Sequence, residues 1–145
     1  MVYLKNQFVK LIGMNKDGNQ SIVGDKSYSF ALEIIKLYKE LTITTKEYVL
    51  SKQILRSGTS IGANINEAVS SVSKRDFVHK LSIALKEARE TNYWLNLLKD
   101  SNYIGIATYE HLSIRCKEIM KILSSIILTT KERYLKQNTN ITTNP

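Results

Sequence analysis

Between Gln53 and Ala68 the chain reads QILRSGTSIGANINEA, and no other stretch limits the possible folds as much. Ile54, Gly58, Ile61, Ile65 and Ala68 recur at alternating spacings of four and three, continued by Val72. That is the seam of a helix packed lengthwise against others. Around the seam, Ser57, Ser60, Gly62 and Ala63 carry almost no bulk. Gly58 and Gly62 each forfeit up to about 1 kcal/mol of helix propensity. A helix that keeps both is expected to use them, with Ala63, for the close approach of a neighbour. A break near Gly58, giving two shorter helices, is the alternative.

The remaining periodicity supplies partners for that helix. Phe30, Ile34, Leu37 and Leu41 form a stripe on a helix predicted from about Lys26 to Leu41, with Asp25 or Ser27 as its cap. Thr42 to Thr45 connects it to the small-residue helix, predicted from Thr45 to about Val72, and Thr44 with Glu47 has the spacing of a capping box. Ser70 to Ser73 reads as a turn. Ser73, with Asp76 three residues on, is placed to cap a third helix reaching about Asp100. Its seam is Phe77, Leu81, Ala84, Ala88, Thr91, Leu95 and Leu98, and the alternation of large and small side chains suits knobs set against the small surface of the preceding helix. After a linker at Ser101 to Thr108, a fourth helix is predicted from Tyr109 to Lys136, with Leu112, Cys116, Ile119, Leu123, Ile126 and Thr130 along its seam.

Four amphipathic helices with short links imply an all-α, antiparallel up-down-up-down four-helix bundle. The only proline is Pro145, so no predicted helix is interrupted by one. Ile114, Met120, Ile122, Ile127 and Leu128 lie beside the last seam, and this apolar surplus implies self-association. The expected division is an N-terminal extension over residues 1–24, a bundle over 25–136 and a disordered polar tail over 137–145. For residues 1–13 there are two readings. They are dispensable, with Met14 as the translation start, or they form a docking helix at Tyr3 to Ile12 with Leu4, Phe8, Leu11 and Ile12 on one side.

At 145 residues the chain suits one domain able to bury roughly 70% of its unfolded surface, with no need of a staple. Cys116 is the single cysteine, which fits a reducing compartment. Lys5, Asn6, Gln7 and Lys10 break up the first apolar residues, so no signal-type run forms, and no apolar run approaches the roughly 20 residues of a membrane span. A cytoplasmic location away from membranes is expected.

Counting outward from the turn at Ser70 to Ser73 places Arg56 near Glu87 and Lys52 near Glu90. A structural polar network of Arg56, Glu67, Lys86, Glu87 and Glu90, with Asn64 as a further polar position on the small-residue helix, is expected to fix register rather than carry out catalysis.

The formal charge is +8, from 21 Lys and Arg against 13 Asp and Glu. A positive balance of this kind favours polyanions through steering and counterion release. Lys117, Lys121 and Lys131 fall within an arc of roughly 80° on the last helix, taking 100° per residue. Lys74 and Arg75 stand at the exposed turn, with Lys80 one helical turn on. These six are the candidate nucleic-acid-binding residues. His79 and His111 lie on different helices without further soft ligands, so no metal site is expected. Cys116 occupies a seam position and reads as a small buried side chain rather than a nucleophile. Glu67, Glu87 and Glu90 lack the Glu-x-x-His pattern of di-metal bundles, and Gly58 to Gly62 lacks the lysine and preceding strand of a phosphate loop. Neither an enzyme nor a cofactor is expected.

Arg56-Ser57-Gly58-Thr59-Ser60-Ile61-Gly62-Ala63-Asn64-Ile65, then Glu67-Ala68, resembles the signature of the four-helix-bundle family of 23S rRNA intervening-sequence proteins. Asp76-Phe77, Lys80 to Ala88, Glu90-Thr91 and Tyr93-Trp94-Leu95 resemble a second part of it, and Lys26 to Leu41 is similar to the family's first helix. The resemblance spans about Asp25 to Leu98. It implies a ring-like homo-oligomer, with pentamers the known form. It also extends to the accessory protein of diversity-generating retroelements, which works with a reverse transcriptase and RNA. RNA or DNA, a reverse transcriptase or another protein, and further copies of the chain are thus the implied partners. The function this implies is a basic, non-enzymatic RNA-binding accessory protein. A protein-interaction scaffold with no nucleic-acid ligand is the alternative.

Overall fold

The structure is a computed structural model that describes residues 2–11 and 22–142, the side chains of 9, 11 and 139–142 apart. Met14 and the loop expected at Lys16 to Ser21 lie outside the described residues. The fold is all-α, with α1 at Val2–Leu11, α2 at Ile22–Ile43, α3 at Leu50–Val69, α4 at Lys74–Asp100 and α5 at Ile106–Thr142. Helix α3 packs on α2 and α4, and α5 packs on α4 and α2, so these four enclose one core.

The core consists of the predicted stripes. Phe30, Ile34, Leu37 and Leu41 of α2 are buried, as are Ile54, Ile61, Ile65 and Ala68 of α3. Every predicted seam residue of α4, from Phe77 to Leu98, is buried, and so are Leu112, Cys116, Ile119, Leu123, Ile126 and Thr130 of α5. Val72 departs from the pattern: it lies beyond the end of α3 and is exposed.

Helix α3 is unbroken at Gly58. Its glycines face α2 rather than the knobs of α4. A Cβ on Gly58 would sit 2.9 Å from Ile34 carbons, and one on Gly62 would sit 3.2 Å from Ser27 Oγ. Ala63, expected beside them in the contact, is exposed. The face toward α4 carries a buried hydrogen bond instead, in which Thr91 Oγ1 donates to Ser57 Oγ at 2.9 Å.

Several predicted ends shift because hydrogen bonds compete with the apparent caps. Helix α2 starts at Ile22, ahead of Asp25 and Ser27. Ser27 is buried mid-helix and donates back to the Gly24 carbonyl at 2.8 Å, so it caps nothing. The expected Thr44–Glu47 box does not form. Thr45 donates its hydroxyl to the Leu41 carbonyl, and Lys46 adopts a left-handed φ of 56° that redirects the chain. Glu47 then accepts from the N–H groups of Val49, Leu50 and Ser51 at 3.0, 2.9 and 2.7 Å, and α3 begins at Leu50 instead of Thr45. At the next helix the predicted cap is present, with Ser73 Oγ accepting from Asp76 N at 3.0 Å.

Both termini extend the bundle. Helix α1 takes the docking reading for the residues described, since Phe8 is fully buried and stacks on Phe77 with ring centroids 4.3 Å apart. At the other end α5 stays helical to Thr142, through much of the tail expected to be disordered. No described helix is long and apolar enough to cross a membrane.

Candidate nucleic-acid interface

Lys117, Lys121 and Lys131 are exposed on the outer face of α5, and among the described residues none of them enters an ion pair. The surrounding face is mixed, because Ile114, Leu128 and Leu135 are exposed within it at spacings of fourteen and seven residues. Arg75 is also exposed. Lys74 is half-buried, and its Nζ donates to Gln137 Oε1 at 2.6 Å. The neutral amide positions that ammonium and leaves its charge in place. Lys80 is different: its Nζ lies 2.8 Å from Glu67 Oε2, and this contact raises the lysine's pKa. Lys80 is therefore neutralised within the chain, which weakens it as a phosphate ligand.

That pair also divides the expected polar network. Arg56 bridges α3 and α4 by contacting Glu87 at 3.3 Å and, more closely, Glu90. The Glu90 hydrogen bond raises the arginine's pKa, and the same bond holds the Glu90 carboxyl below its usual range. Glu90, which sequence counting pairs with Lys52, is thus taken by Arg56. Glu67 belongs to Lys80 and not to this cluster. Asn64 donates to the Ser60 carbonyl of its own helix at 2.8 Å, and among the described residues it bridges to no other helix. Lys86 is exposed and acts on Glu90 only through its charge.

The packing of α5 against α2 and α4 adds polar links that the sequence pattern did not mark. Glu33 accepts from Arg115 and lies 2.6 Å from His111 Nε2, while Arg115 Nη2 donates to Ser29 Oγ at 3.0 Å. Ser113 and Tyr109 donate to Asn92 and Asn96 at 3.1 and 2.9 Å. Such pairs join residues 13 to 86 positions apart. Only the helix register brings them together, so local motif spacing gave no signal. For the same reason no local pattern marks Lys10, Arg133 and Lys136, which the fold places at the Lys74 end of the molecule.

Burial pushes the Cys116 thiol up to about 12, and its Sγ donates to the Ala88 carbonyl at 3.2 Å, which suits the small core side chain expected there. Among the described residues, no group of three His, Cys, Asp or Glu side chains is placed to hold a metal ion.

Polar links between facing helices and exposed lysines on α5 thus mark a small all-α bundle. The chain belongs to the 23S rRNA-intervening sequence protein family, whose sequence profile matches residues 19–125. It is also similar to a crystal structure from Bacteroides thetaiotaomicron VPI-5482, described as a protein of unknown function from the S23 ribosomal protein family. The two share 57% identity over 73% of this chain and 98% of that one, with a TM-score of 0.73. No curated protein matches the chain.

Proposed function

We propose that this protein is a non-enzymatic nucleic-acid-binding accessory protein, with RNA as its ligand, acting in the cytoplasm as a ring-like homo-oligomer of up-down-up-down bundles. The observation that carries the reading is the set of exposed lysines on α5, Lys117, Lys121 and Lys131, free of ion pairs among the described residues, in a chain of formal charge +8. Cations without carboxylate partners keep their charge for phosphates, and contacts repeated around a ring add through multivalency. The family takes its name from 23S rRNA intervening sequences, which favours RNA among polyanions. A reverse transcriptase or other RNA-handling protein is a fitting partner for such an accessory.

The second reading, a protein scaffold, draws on Ile114, Leu128 and Leu135, exposed on the same face. Light-scattering mass and RNA binding, measured on one sample at low and moderate salt, separate the two. The RNA reading expects a ring-sized mass and binding that weakens steeply with salt. It also expects the change of Lys117, Lys121 and Lys131 to Glu to abolish binding and leave the mass unchanged. A ring that ignores RNA at low salt would favour the scaffold. Loss of the ring in the triple variant would place the subunit contact on this face.

A further inference from the structure

We propose that a cleft between α1, the start of α4 and the last turns of α5 grips the phosphodiester backbone of a single-stranded nucleic acid; this rests on the nucleic-acid reading above and gives it a second site.

The cleft has a volume of about 600 Å³. Lys10 of α1, Lys74 of α4, and Arg133 and Lys136 of α5 line it, and among the described residues no carboxylate does. Two further clefts are mixed in charge. One sets Glu33 and Glu40 against Lys36, and the other sets Asp100 and Glu110 against Lys99. Lys10, Lys74 and Arg133 bring cations from three helices into one concavity, where they repel one another, and an anion seated among them relieves that repulsion.

The rest of the lining suits a single strand. Lys74 is held by the Gln137 amide at 2.6 Å, so its ammonium is positioned with its charge intact. Tyr3 is exposed at the rim, and its hydroxyl accepts from Gln7 Nε2 at 3.1 Å, which steadies the ring. An exposed, steadied ring beside cations is how base stacking accompanies phosphate contacts in single-strand binding. The Thr130 hydroxyl in the floor is spent on the Ile126 carbonyl at 2.7 Å, leaving the cations as the dominant chemistry.

Placement in the chain sets the cleft apart from the family body. Apart from Lys74, every residue lining it lies outside the family match at residues 19–125. It is built where α1 and the extension of α5 meet the turn between α3 and α4. Strand specificity here would come from segments that the family's shared region does not contain.

The test is fluorescence anisotropy of a labelled single-stranded oligouridylate with the full chain at two salt concentrations. Lys10 and Arg133 are both exposed. The Lys10→Glu/Arg133→Glu protein should lose tenfold or more in affinity at low salt. Its salt slope should fall by about one to two, given roughly 0.7 per single-strand phosphate contact. Lys10→Gln/Arg133→Gln should move both in the same direction by less, and serves should the charge-reversed pair fail to fold. Tyr3→Ala should lower affinity roughly fivefold or more. Unchanged affinity and slope in both cleft pairs, with wild-type binding intact and the Lys117, Lys121 and Lys131 triple weakened, would overturn the cleft and leave the RNA reading standing. Failure of the wild type to bind at low salt would overturn both.

Discussion

Gly58 lies so close to Ile34 that a Cβ on the glycine would stand 2.9 Å from both Cγ1 and Cγ2 of the isoleucine. Ile34 is fully buried, and the atoms met are carbons at its branch point rather than the far end of a flexible side chain. Gly58→Ala would gain up to about 1 kcal/mol of helix propensity but overpack the α2–α3 contact by about 1–3 kcal/mol. We expect a net loss of about 1 kcal/mol, read from urea unfolding at an unchanged m-value. At Gly62 the neighbour is Ser27 Oγ at 3.2 Å, held in place by its bond to Gly24. Gly62→Ala should cost less than Gly58→Ala, and Gly62→Leu about 1–3 kcal/mol. Unchanged thermal stability in Gly62→Leu would contradict the close approach.

What was readable in advance follows from range. The seam of α4 was legible because burial repeats every three or four residues whatever the partner, so Phe77 to Leu98 needed no knowledge of the fold. The cap at Ser73 was legible because it spans three residues. The partner of Gly58 was not: small residues announce a close neighbour without naming it, and the knobs of α4 were expected where Ile34 and Ser27 of α2 lie. The pairing of Arg56 with Glu87 is legible because a short turn allows counting along two facing helices. Counting does not say which of several long side chains takes Glu90, and Arg56 did so in place of Lys52. Lys10 and Arg133 share a cleft across most of the chain's length, and no local pattern records that.

Glu47 gives a pH prediction. Burial raises its carboxyl pKa, but hydrogen bonds from the N–H groups of Leu50, Ser51 and Val49 outweigh this, and the net shift is below the ordinary 4.5. A carboxylate depressed by folding stabilises the native state above its unfolded pKa, and that contribution fades as pH falls through the lowered folded value. Glu47→Gln should therefore cost about 1 kcal/mol at neutral pH, within the range for lost helix caps. The difference from wild type should shrink as pH drops below about 4.5. Chemical unfolding at several pH values checks this, and a gap that stays constant into acid would show that charge plays no part. Lys46, at a φ of 56°, should meanwhile gain stability on change to Gly, by up to about 1 kcal/mol.

The Arg56 bridge should matter more for register than for stability. Its side chain is 51% exposed, against 13% for Glu87 and 28% for Glu90. Solvent screening limits such a pair to about 1 kcal/mol or less. A double-mutant cycle with Arg56→Ala and Glu90→Ala should return a coupling in that range, smaller at high salt. A coupling of several kcal/mol would mean that the pair is effectively desolvated. Because the Glu90 carboxyl is lowered, the coupling should persist from neutral pH down to the ordinary carboxylate range and vanish as pH falls through the lowered value.

Phe8 decides whether α1 belongs to the folded body. It is fully buried and stacks on Phe77, itself a seam residue of α4. Truncating a buried phenylalanine costs about 3–5 kcal/mol where the surroundings cannot relax. Here Phe8 sits on a short helix that meets the bundle along one side and can lift away, so the global loss should fall below that range. The local effect should be larger: amide exchange over Val2–Leu11 should become fast in Phe8→Ala, with α3, α4 and α5 retaining their protection. Phe77→Ala removes the other ring from the shared core and should lower the stability of the whole bundle. The two variants also separate docking from charge at the cleft. Phe8→Ala keeps Lys10 in the chain but frees the helix that holds it beside Lys74 and Arg133. Oligouridylate affinity should then fall with every cation retained. An unchanged affinity would mean that α1 contributes charge without position, and the cleft geometry would not be what binds the strand.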